Sequence, residues 1–362
     1  MRGLKAFYTQ QKVSVIYLIL FPFLFLLSGV YAFFLYGKGF LYRKGILKVY
    51  RPKAKVISIG NITLGGSGKT PLVEHLAAFL IEEGHRVAIL SRGYKRPGQK
   101  DSLGSEDYDA YGDEASMLKQ NFHNKVAVLT GNNRVKHARS LDEKNFCDTI
   151  ILDDGFQHWK LKRDLDIVTI DATNPFGNGL LLPAGHLREN VSSLKRADCF
   201  CLTRSDEAPE RKVKELESRL LKINSGVTFI RSIHTPESLY HLKTHTKEGL
   251  DILKDSPLCL LCGIANPFSF MNTVQKLGGR IILKRFFEDH HDYSEGEITA
   301  LVKKCIPLGI ERIVTTEKDS QRLAGSVLLK DLGLDILVLR VVLKVVSGKE
   351  ALIDRLHSLY LS

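Results

Sequence analysis

The sequence predicts an α/β protein with a doubly wound core sheet, a second, smaller α/β domain and an N-terminal membrane helix. Three observations support this prediction. Val13 to Tyr36 is an apolar run without a charge. From Lys55 onward, short apolar segments alternate with helical ones, as strand–helix–strand units do. The same alternation begins again near Leu258, after a charged stretch that interrupts it.

The composition is that of a folded protein with an excess of basic residues. The chain has 362 residues, of which 44% are hydrophobic and 25% charged, so it does not belong to the disordered class. Its 52 Lys and Arg residues outnumber 40 Asp and Glu residues, for a net charge of +12. General solubility explains part of this excess. A partner that carries phosphate, such as a membrane surface, a nucleic acid or an anionic substrate, is the favoured explanation.

The apolar run is long enough to cross a membrane. At ~1.5 Å of rise per residue, a helix over Val13–Tyr36 spans the ~30 Å hydrocarbon layer. A cleaved signal peptide is the alternative, but the basic segment Gly37–Lys44 follows where a cleavage site is expected. A buried core helix would show a polar face, and none is visible. We expect residues 1–44 to form a membrane anchor, spanning or embedded, with its helix over about 13–36.

The rest of the chain divides into four predicted parts. They are a core domain over residues 45–225, an extended connection over 226–250, a second α/β domain over 251–345 and a C-terminal helix over 346–362. The predicted strands are Lys55–Gly60, Arg86–Leu90, Lys125–Thr130, Thr149–Leu152, Asp166–Ile170, Gly279–Phe286, Arg312–Thr315 and Asp335–Leu343, and a charged helix is predicted within Arg204–Lys222.

The first chemical motif is a glycine-rich loop between the Lys55–Gly60 strand and a helix with Pro71 in its first turn. In this order, backbone N–H groups surround a phosphate chain, so a P-loop NTPase-like core is expected. Lys69 would reach the β- and γ-phosphates, and the Thr70 hydroxyl would bind Mg²⁺. The general pattern has Gly where this chain has Thr63. The predicted phosphate-binding residues are Thr63, Gly65, Gly66, Ser67, Gly68, Lys69 and Thr70.

The second motif is an acidic strand end, Asp153-Asp154, after an apolar strand. A carboxylate in this position holds hydrated Mg²⁺ opposite the Thr70 hydroxyl. Adjacent side chains on an extended backbone point to opposite sides, so only one of the two carboxylates is expected to serve the metal. The sequence leaves open which one.

Further polar loops follow predicted strands, where ligands of such sheets bind. Arg92 and Arg134 lie in two of these loops and, together with His291, are candidate phosphate or substrate contacts. Asp113 precedes a helical segment and is a candidate base for an attacking hydroxyl. In the second domain, His290 and His291 lie among Asp residues, which indicates either a metal site or a base tuned by carboxylates.

The cysteines favour packing over chemistry. Cys259 and Cys262 have the spacing of half a metal site, but they lie in an apolar run and no second pair follows. We expect both thiols to be buried in the core. Nothing in the six cysteines demands an oxidising compartment.

Taken together, several motifs resemble those of the tetraacyldisaccharide 4′-kinases. The resemblance covers about residues 55 to 320. The motifs are Ser58-Ile-Gly-Asn-Ile-Thr-Leu-Gly-Gly-Ser-Gly-Lys-Thr-Pro71, Ser91-Arg-Gly-Tyr94, Gly112-Asp-Glu114, Asp153-Asp-Gly-Phe-Gln157, Leu182-Pro-Ala-Gly-His-Leu-Arg-Glu189, Gly263-Ile-Ala-Asn-Pro267, Asp289-His290 and Thr316-Glu-Lys-Asp319. The family also has Thr at the position of Thr63.

The resemblance implies a membrane-bound kinase of lipid A biosynthesis on the cytoplasmic face of the bacterial inner membrane. It would move the γ-phosphate of ATP to the 4′-hydroxyl of a tetraacylated glucosamine disaccharide 1-phosphate. A hinge would let the second domain close over the first. Asp113 and His290 would activate the hydroxyl, Asp154 and Glu189 would serve Mg²⁺, and Arg134 would contact phosphate or substrate. His291 stays an alternative to His290.

Two other classes of protein are alternatives to a kinase. A membrane-anchored GTPase or ATPase switch is one, because Cys201–Asp206 faintly resembles a base-reading segment without its Asn and Lys. A basic scaffold is the other. No interleaving of aromatic and basic residues supports nucleic-acid binding, and no obligate protein partner is inferred. Acyl-chain specificity and oligomeric state do not follow from the sequence.

Overall fold

A computed structural model describes residues 15–92, 113–123, 125–323 and 333–361, with the side chains of residues 15–18 and 113 left out. The strands are β1 Lys55–Gly60, β2 Val87–Ser91, β3 Ala127–Thr130, β4 Thr149–Asp153, β5 Leu165–Asp171, β6 Cys199–Thr203, β7 Thr228–His241, β8 Lys247–Glu248, β9 Pro257–Cys262, β10 Arg280–Phe286, β11 Arg312–Thr316 and β12 Asp335–Ser347. The helices are α1 Val15–Arg43, α2 Lys69–Glu82, α3 Asp113–Asn121, α4 Arg134–Glu143, α5 Glu210–Ile223, α6 Pro267–Lys276, α7 Glu295–Cys305, α8 Glu317–Leu323 and α9 Lys349–Ser358.

The described residues form two compact units. The first contains residues 15–92, 126–233 and 344–361, and the second contains 113–123, 125, 234–323 and 333–343. The chain leaves the first unit within β7 and returns to it within β12. Residues 113–123 therefore belong to the second unit, although they lie inside the range 45–225 of the core domain in the sequence analysis. Those domain boundaries stay a prediction.

The first unit is built on a parallel sheet with the strand order β7-β6-β5-β1-β4-β2-β3. Its central strands are buried along almost their whole length, as expected for a sheet covered on both faces. One core cluster joins β5 and β6 to α5, and another joins β1, β2 and β4 to α4. The predicted doubly wound core is confirmed.

The second unit has the strand order β10-β9-β11-β12-β7, with β8 antiparallel to β7. Strands β9 to β12 pair in parallel. Cys259 and Cys262 are fully buried in β9, but they belong to different core clusters. The predicted packing role of these thiols is confirmed, because two side chains in separate clusters cannot chelate one ion together.

Helix α1 ends at Arg43, seven residues beyond the end that the apolar pattern predicts. Residues 19–43 are long and apolar enough to cross a membrane, by length and composition. Within the first unit, Ser28 Oγ donates to Leu181 O at 2.9 Å and accepts from Ala184 N at 3.0 Å. Tyr31 Oη donates to Arg188 O at 2.9 Å. The helix is thus hydrogen-bonded to the segment of residues 181–188.

Other boundaries differ from the sequence pattern for local reasons. Helix α5 begins at Glu210 rather than near Arg204, because Pro209 stands at its N-terminal cap and Arg204 has a left-handed backbone, φ 52°. The connection predicted over 226–250 is mostly one strand, β7. Strand β6 was missed, since its five buried residues form an apolar run too short to be distinguished from a helix segment.

The end of β1 leaves no room for a side chain at Gly60. A Cβ atom there would lie 2.5 Å from Phe156 Cβ. We expect Gly60→Ala to lower the free energy of unfolding by about 1–3 kcal/mol, because the segment after β4 must move outward. Urea unfolding in detergent measures this. Gly226→Ala is the control, since nothing lies within 4 Å of its added Cβ, and equal stability of the two variants would contradict the prediction.

Candidate active site

The phosphate-binding loop occupies residues 61–68, between β1 and α2. Gly65 and Gly68 have φ of 101° and 78°, a region of backbone space that favours glycine. Gly68 is the residue before α2, and it has no side chain to cap the helix. The first N–H groups of α2 are therefore available to an anion, which the helix dipole also favours.

Residues in β5, in β6 and directly after β6 form hydrogen bonds with the phosphate-binding loop. Ser67 Oγ lies 2.8 Å from Thr169 Oγ1, and Thr203 Oγ1 donates to Ser67 O at 3.1 Å. Arg204 Nη2 donates to Gly66 O at 2.8 Å and also pairs with Asp171. None of these supporting contacts was predicted from the sequence. Thr169 lies within β5, Thr203 ends β6 and Arg204 follows β6, and their closeness to the loop depends on a strand order that cannot be read from spacing.

Thr63 is paired with a second segment of the chain. It forms an antiparallel bridge with Leu187, Leu64 N donates to His186 O at 2.8 Å, and Arg188 N donates to Ile62 O at 2.7 Å. This stretch of the loop is short extended backbone, which a β-branched residue adopts readily. The pairing accounts for Thr at a position where the general loop pattern has Gly.

Asp154 follows β4 and lies beside the loop lysine. Its Oδ1 is 3.8 Å from Lys69 Nζ. Arg188 binds it with two hydrogen bonds, from Nη1 to Oδ1 at 2.6 Å and from Nη2 to Oδ2 at 2.9 Å. Arg134 is buried, and its Nη1 donates to Asp154 O at 3.1 Å. Three cations therefore surround one carboxylate.

These contacts set the charge of Asp154. Burial by itself raises the pKa of Asp154, but Arg188, Lys69 and Arg134 outweigh it and keep that pKa well below the usual range. Burial lowers the pKa of Arg134, and the carboxylates of Asp154 and Asp153 oppose that effect. The group carries more positive than negative charge, which suits a phosphate chain.

The two adjacent aspartates differ for a reason other than strand alternation. Asp153 is the last residue of β4 and 2% exposed, and it accepts a hydrogen bond from Ser91 Oγ at 3.3 Å. Asp154 has left-handed backbone, φ 54°. The expectation of two extended residues is thus wrong, because the chain turns at Asp154. Thr70, the second residue of α2, is only partly buried.

Glu189 also lies in the first unit. Its Oε2 pairs with Arg196 Nη1 at 2.9 Å, and the guanidinium carbon of Arg196 lies 4.3 Å from the Phe156 ring centroid and 4.4 Å from that of Trp159. The other oxygen, Oε1, is buried without a hydrogen-bond partner in the described part of the chain. Arg92 follows β2 and is exposed, and the remainder of its motif, including Tyr94, lies outside the described residues.

A second group of candidate residues belongs to the second unit. Asp113 is the first residue of α3, and the next residue, Glu114, contacts Lys318 Nζ through Oε1 at 2.9 Å. The same ammonium lies 3.2 Å from Asp289 Oδ1 and 3.2 Å from His290 Nε2. The structure brings His290 and Glu114, the neighbour of Asp113, to one lysine.

His291 has different partners from His290. Its Nε2 lies 3.2 and 3.1 Å from the two Glu297 oxygens, and its ring stacks on Phe287 with centroids 4.1 Å apart. Glu297 also completes the capping box of α7 with Ser294. His291 is thereby tied to the start of α7.

A metal centre built from protein ligands alone is not present among the described residues. No three His, Cys, Asp or Glu side chains there are grouped to hold an ion. The metal alternative for His290 and His291 stays a prediction, because residues 93–112 and the side chain of Asp113 lie outside the described part of the chain. For Mg²⁺ at the phosphate loop the donor set also stays open, because Mg²⁺ commonly takes one or two carboxylates together with substrate phosphates.

Comparisons with known proteins agree with this geometry. A family model described as LpxK, tetraacyldisaccharide-1-P 4'-kinase, matches residues 20–360. A tetraacyldisaccharide 4'-kinase from Anaeromyxobacter dehalogenans (strain 2CP-C) is 40% identical over 292 residues, which are 79% of this chain and 77% of that protein. One from Halothermothrix orenii is 37% identical over 312 residues, 82% and 81% of the two chains. The crystal structure of LpxK from Aquifex aeolicus in complex with ATP superposes with a TM-score of 0.71 at 29% identity, covering 95% of this chain and 99% of that one.

Removing the Arg188 guanidinium tests how much it stabilises the buried carboxylate of Asp154. At pH 7 we expect Arg188→Met to lower the free energy of unfolding by about 2 kcal/mol, because a buried carboxylate loses its bidentate partner. The pKa of Asp154 is lowered in the folded state, so its stabilisation is present above about pH 4 and is lost as the pH falls further. The difference in free energy of unfolding between wild type and Arg188→Met should therefore be smaller at about pH 3 than at pH 7. Urea titrations at the two pH values measure it.

Arg211→Met is the matched control for this experiment. Arg211 pairs with Glu215 on the surface of α5, with side chains 90% and 60% exposed, so its loss should change stability by less than about 0.5 kcal/mol. A deficit for Arg188→Met that stays constant with pH would contradict the assignment of the effect to Asp154.

Proposed function

The chain belongs to the tetraacyldisaccharide 4′-kinase family, and we propose that its two groups of functional residues divide one phosphoryl transfer between them. The enzyme is a phosphotransferase of lipid A biosynthesis with an alcohol group as acceptor. In this proposal the first unit binds ATP, and the second unit acts on the 4′-hydroxyl of a tetraacylated glucosamine disaccharide 1-phosphate. The product is of the lipid IVA type.

The observation that carries the donor half is the phosphate loop with Lys69 beside Asp154. A loop of left-handed glycines before α2 offers N–H groups to the phosphates, and the Lys69 ammonium would offset charge on the β- and γ-phosphates. The surrounding excess of cations, from Arg188 and Arg134, supports the same assignment. Phosphoryl transfer asks mainly for alignment and charge stabilisation, and these groups supply both.

Mg²⁺ is the cation that this donor set fits. The Thr70 hydroxyl, Asp154 and Glu189 would hold it, and the unpartnered buried oxygen of Glu189 supports this fit. Because Arg188 occupies both oxygens of Asp154, we propose that Asp154 serves the ion through water. When bound, Mg²⁺ neutralises charge on the phosphates of ATP.

The acceptor half rests on Asp113 and His290. We propose that they orient and deprotonate the sugar hydroxyl: the Asp113 carboxylate takes the proton as the general base, and the His290 imidazole orients it. His290 is favoured over His291, because the Nε2 of His291 faces both oxygens of Glu297 and its ring is stacked on Phe287. Arg92 and Arg134 are proposed phosphate or substrate contacts.

Helix α1 fits an enzyme whose substrate lies in a bilayer. Its exposed apolar surface and the basic residues after it suit a membrane with anionic headgroups. We propose that the body of the enzyme works at the cytoplasmic face of the bacterial inner membrane, where ATP is available.

Lys69→Met should abolish transfer from ATP to the lipid acceptor. We expect kcat to fall by at least about a hundredfold, because a preorganised cation no longer stabilises the charge on the transferring phosphoryl group. A labelled-ATP assay with purified disaccharide 1-phosphate in detergent micelles measures the product, and Lys303→Met on the exposed side of α7 is the control. Hydrolysis of nucleotide that is indifferent to the lipid would instead support the membrane-anchored switch.

The two histidines give a matched test of the acceptor half. His290→Ala and Asp113→Ala should each lower kcat by about a hundredfold or more, as expected for loss of the general base or of the imidazole that orients it, while the KM for ATP changes little. His291→Phe keeps an aromatic ring against Phe287 and should retain most of the activity. A folded Asp113→Ala enzyme with wild-type turnover would reject the base assignment, and the same result for His290→Ala would reject the orienting role of the imidazole.

A further inference from the structure

The motif Thr316-Glu-Lys-Asp319 is part of the family resemblance, but the proposed function gives it no role. Its lysine, Lys318, is the second residue of α8, and its side chain is 20% exposed. An ammonium group has three hydrogens to donate and accepts nothing. Lys318 Nζ has three partners: Glu114 Oε1 at 2.9 Å, Asp289 Oδ1 at 3.2 Å and His290 Nε2 at 3.2 Å. Each of the three N–H donors of the ammonium therefore has one acceptor.

The positive charge of Lys318 offsets the negative charges of Glu114 and Asp289. Burial by itself lowers the pKa of Lys318, but Glu114 and Asp289 outweigh it and raise that pKa above its usual value, so the group is charged at neutral pH. The side chains of Glu114 and Asp289 are 30% and 26% exposed. Without the ammonium, these two partly buried carboxylates would face each other uncompensated.

The contact with His290 defines a tautomer. Because Lys318 can only donate, Nε2 of His290 is the acceptor, and a neutral imidazole must then carry its hydrogen on Nδ1. Asp289 Oδ2 is 3.8 Å from the same Nε2, beyond hydrogen-bond distance. The lysine, rather than the carboxylate, therefore fixes the ring.

The residue after Lys318 supports the backbone of the same histidine. Asp319 is fully buried, and its Oδ1 accepts a hydrogen bond from Gly263 N at 3.0 Å. Gly263 O in turn accepts one from His290 N at 3.2 Å, where His290 has a left-handed φ of 64°. A Cβ on Gly263 would lie 2.9 Å from Glu288 O. The start of α8 thus supports both the ring and the strained backbone of His290.

We propose that Lys318 is a positioning residue for phosphoryl transfer: its ammonium fixes the ring of His290 and holds it to the start of α3, where Asp113 lies. The inference rests on the proposed role of His290 and Asp113. Lys318 acts through these residues, and its loss should therefore affect turnover and leave ATP binding unchanged.

Three variants test the proposal in the full-length enzyme in detergent. Lys318→Met removes the charge and keeps the length, and kcat should fall about tenfold to a hundredfold, the cost of misplacing a reacting group, with the KM for ATP within about twofold of wild type. Lys303→Met, on the exposed side of α7, should behave as wild type. Histidine ¹⁵N NMR should show His290 as the Nδ1–H tautomer in wild type and lose that preference in Lys318→Met.

Lys318→Arg keeps the inference testable if the Met variant does not fold. It retains the positive charge, but a planar guanidinium cannot direct three donors as an ammonium does. We expect wild-type thermal unfolding and a kcat reduced by about tenfold. A purely structural ion pair would give wild-type kcat and an unchanged His290 tautomer, and that result overturns the proposal. If His290→Ala also turns over at the wild-type rate, the proposed role of His290 is what fails.

Discussion

Two parallel hydrogen bonds between Arg188 and Asp154 join parts of the first unit that are far apart in the chain. Arg188 also donates to Asn61 Oδ1 at 3.2 Å, so one guanidinium links the phosphate loop to the turn after β4. Its own backbone belongs to the segment that pairs with the loop and accepts a hydrogen bond from α1. The closeness of these segments explains why Gly60 and Gly155 cannot carry side chains, since each added Cβ would lie within 2.7 Å of a neighbouring atom.

The two groups of candidate site residues have opposite charge balances. Around Asp154, three cations face one carboxylate, which prepares the first unit for the anionic phosphates of a nucleotide. Around Lys318, two carboxylates and an imidazole share one cation, an environment that suits the proposed removal of a proton in the second unit. A phosphoryl transfer needs both environments, and the chain builds each from helix starts and strand ends of a single unit.

Much of the first unit could be predicted, because its signals are local. A strand, a glycine-rich loop and a helix are contiguous in sequence, and so are Asp154 and the strand before it. Arg188, Arg204 and Lys318 were not assigned a role for the opposite reason: each acts on residues from another part of the chain. Sequence spacing cannot report such partners. The turn at Asp154 was also missed, since a positive φ at a non-glycine residue depends on the surrounding contacts.

The hydrogen bonds of α1 determine how a water-soluble form of this enzyme can be engineered. Ser28 and Tyr31 bond to Leu181, Ala184 and Arg188, so deleting the helix would remove partners from the segment that supports the phosphate loop. A water-soluble form is better engineered by keeping the helix and substituting polar residues for the apolar ones on its outer surface. The apolar side chains that point away from the body, and so suit replacement, include Phe23, Leu26 and Phe33.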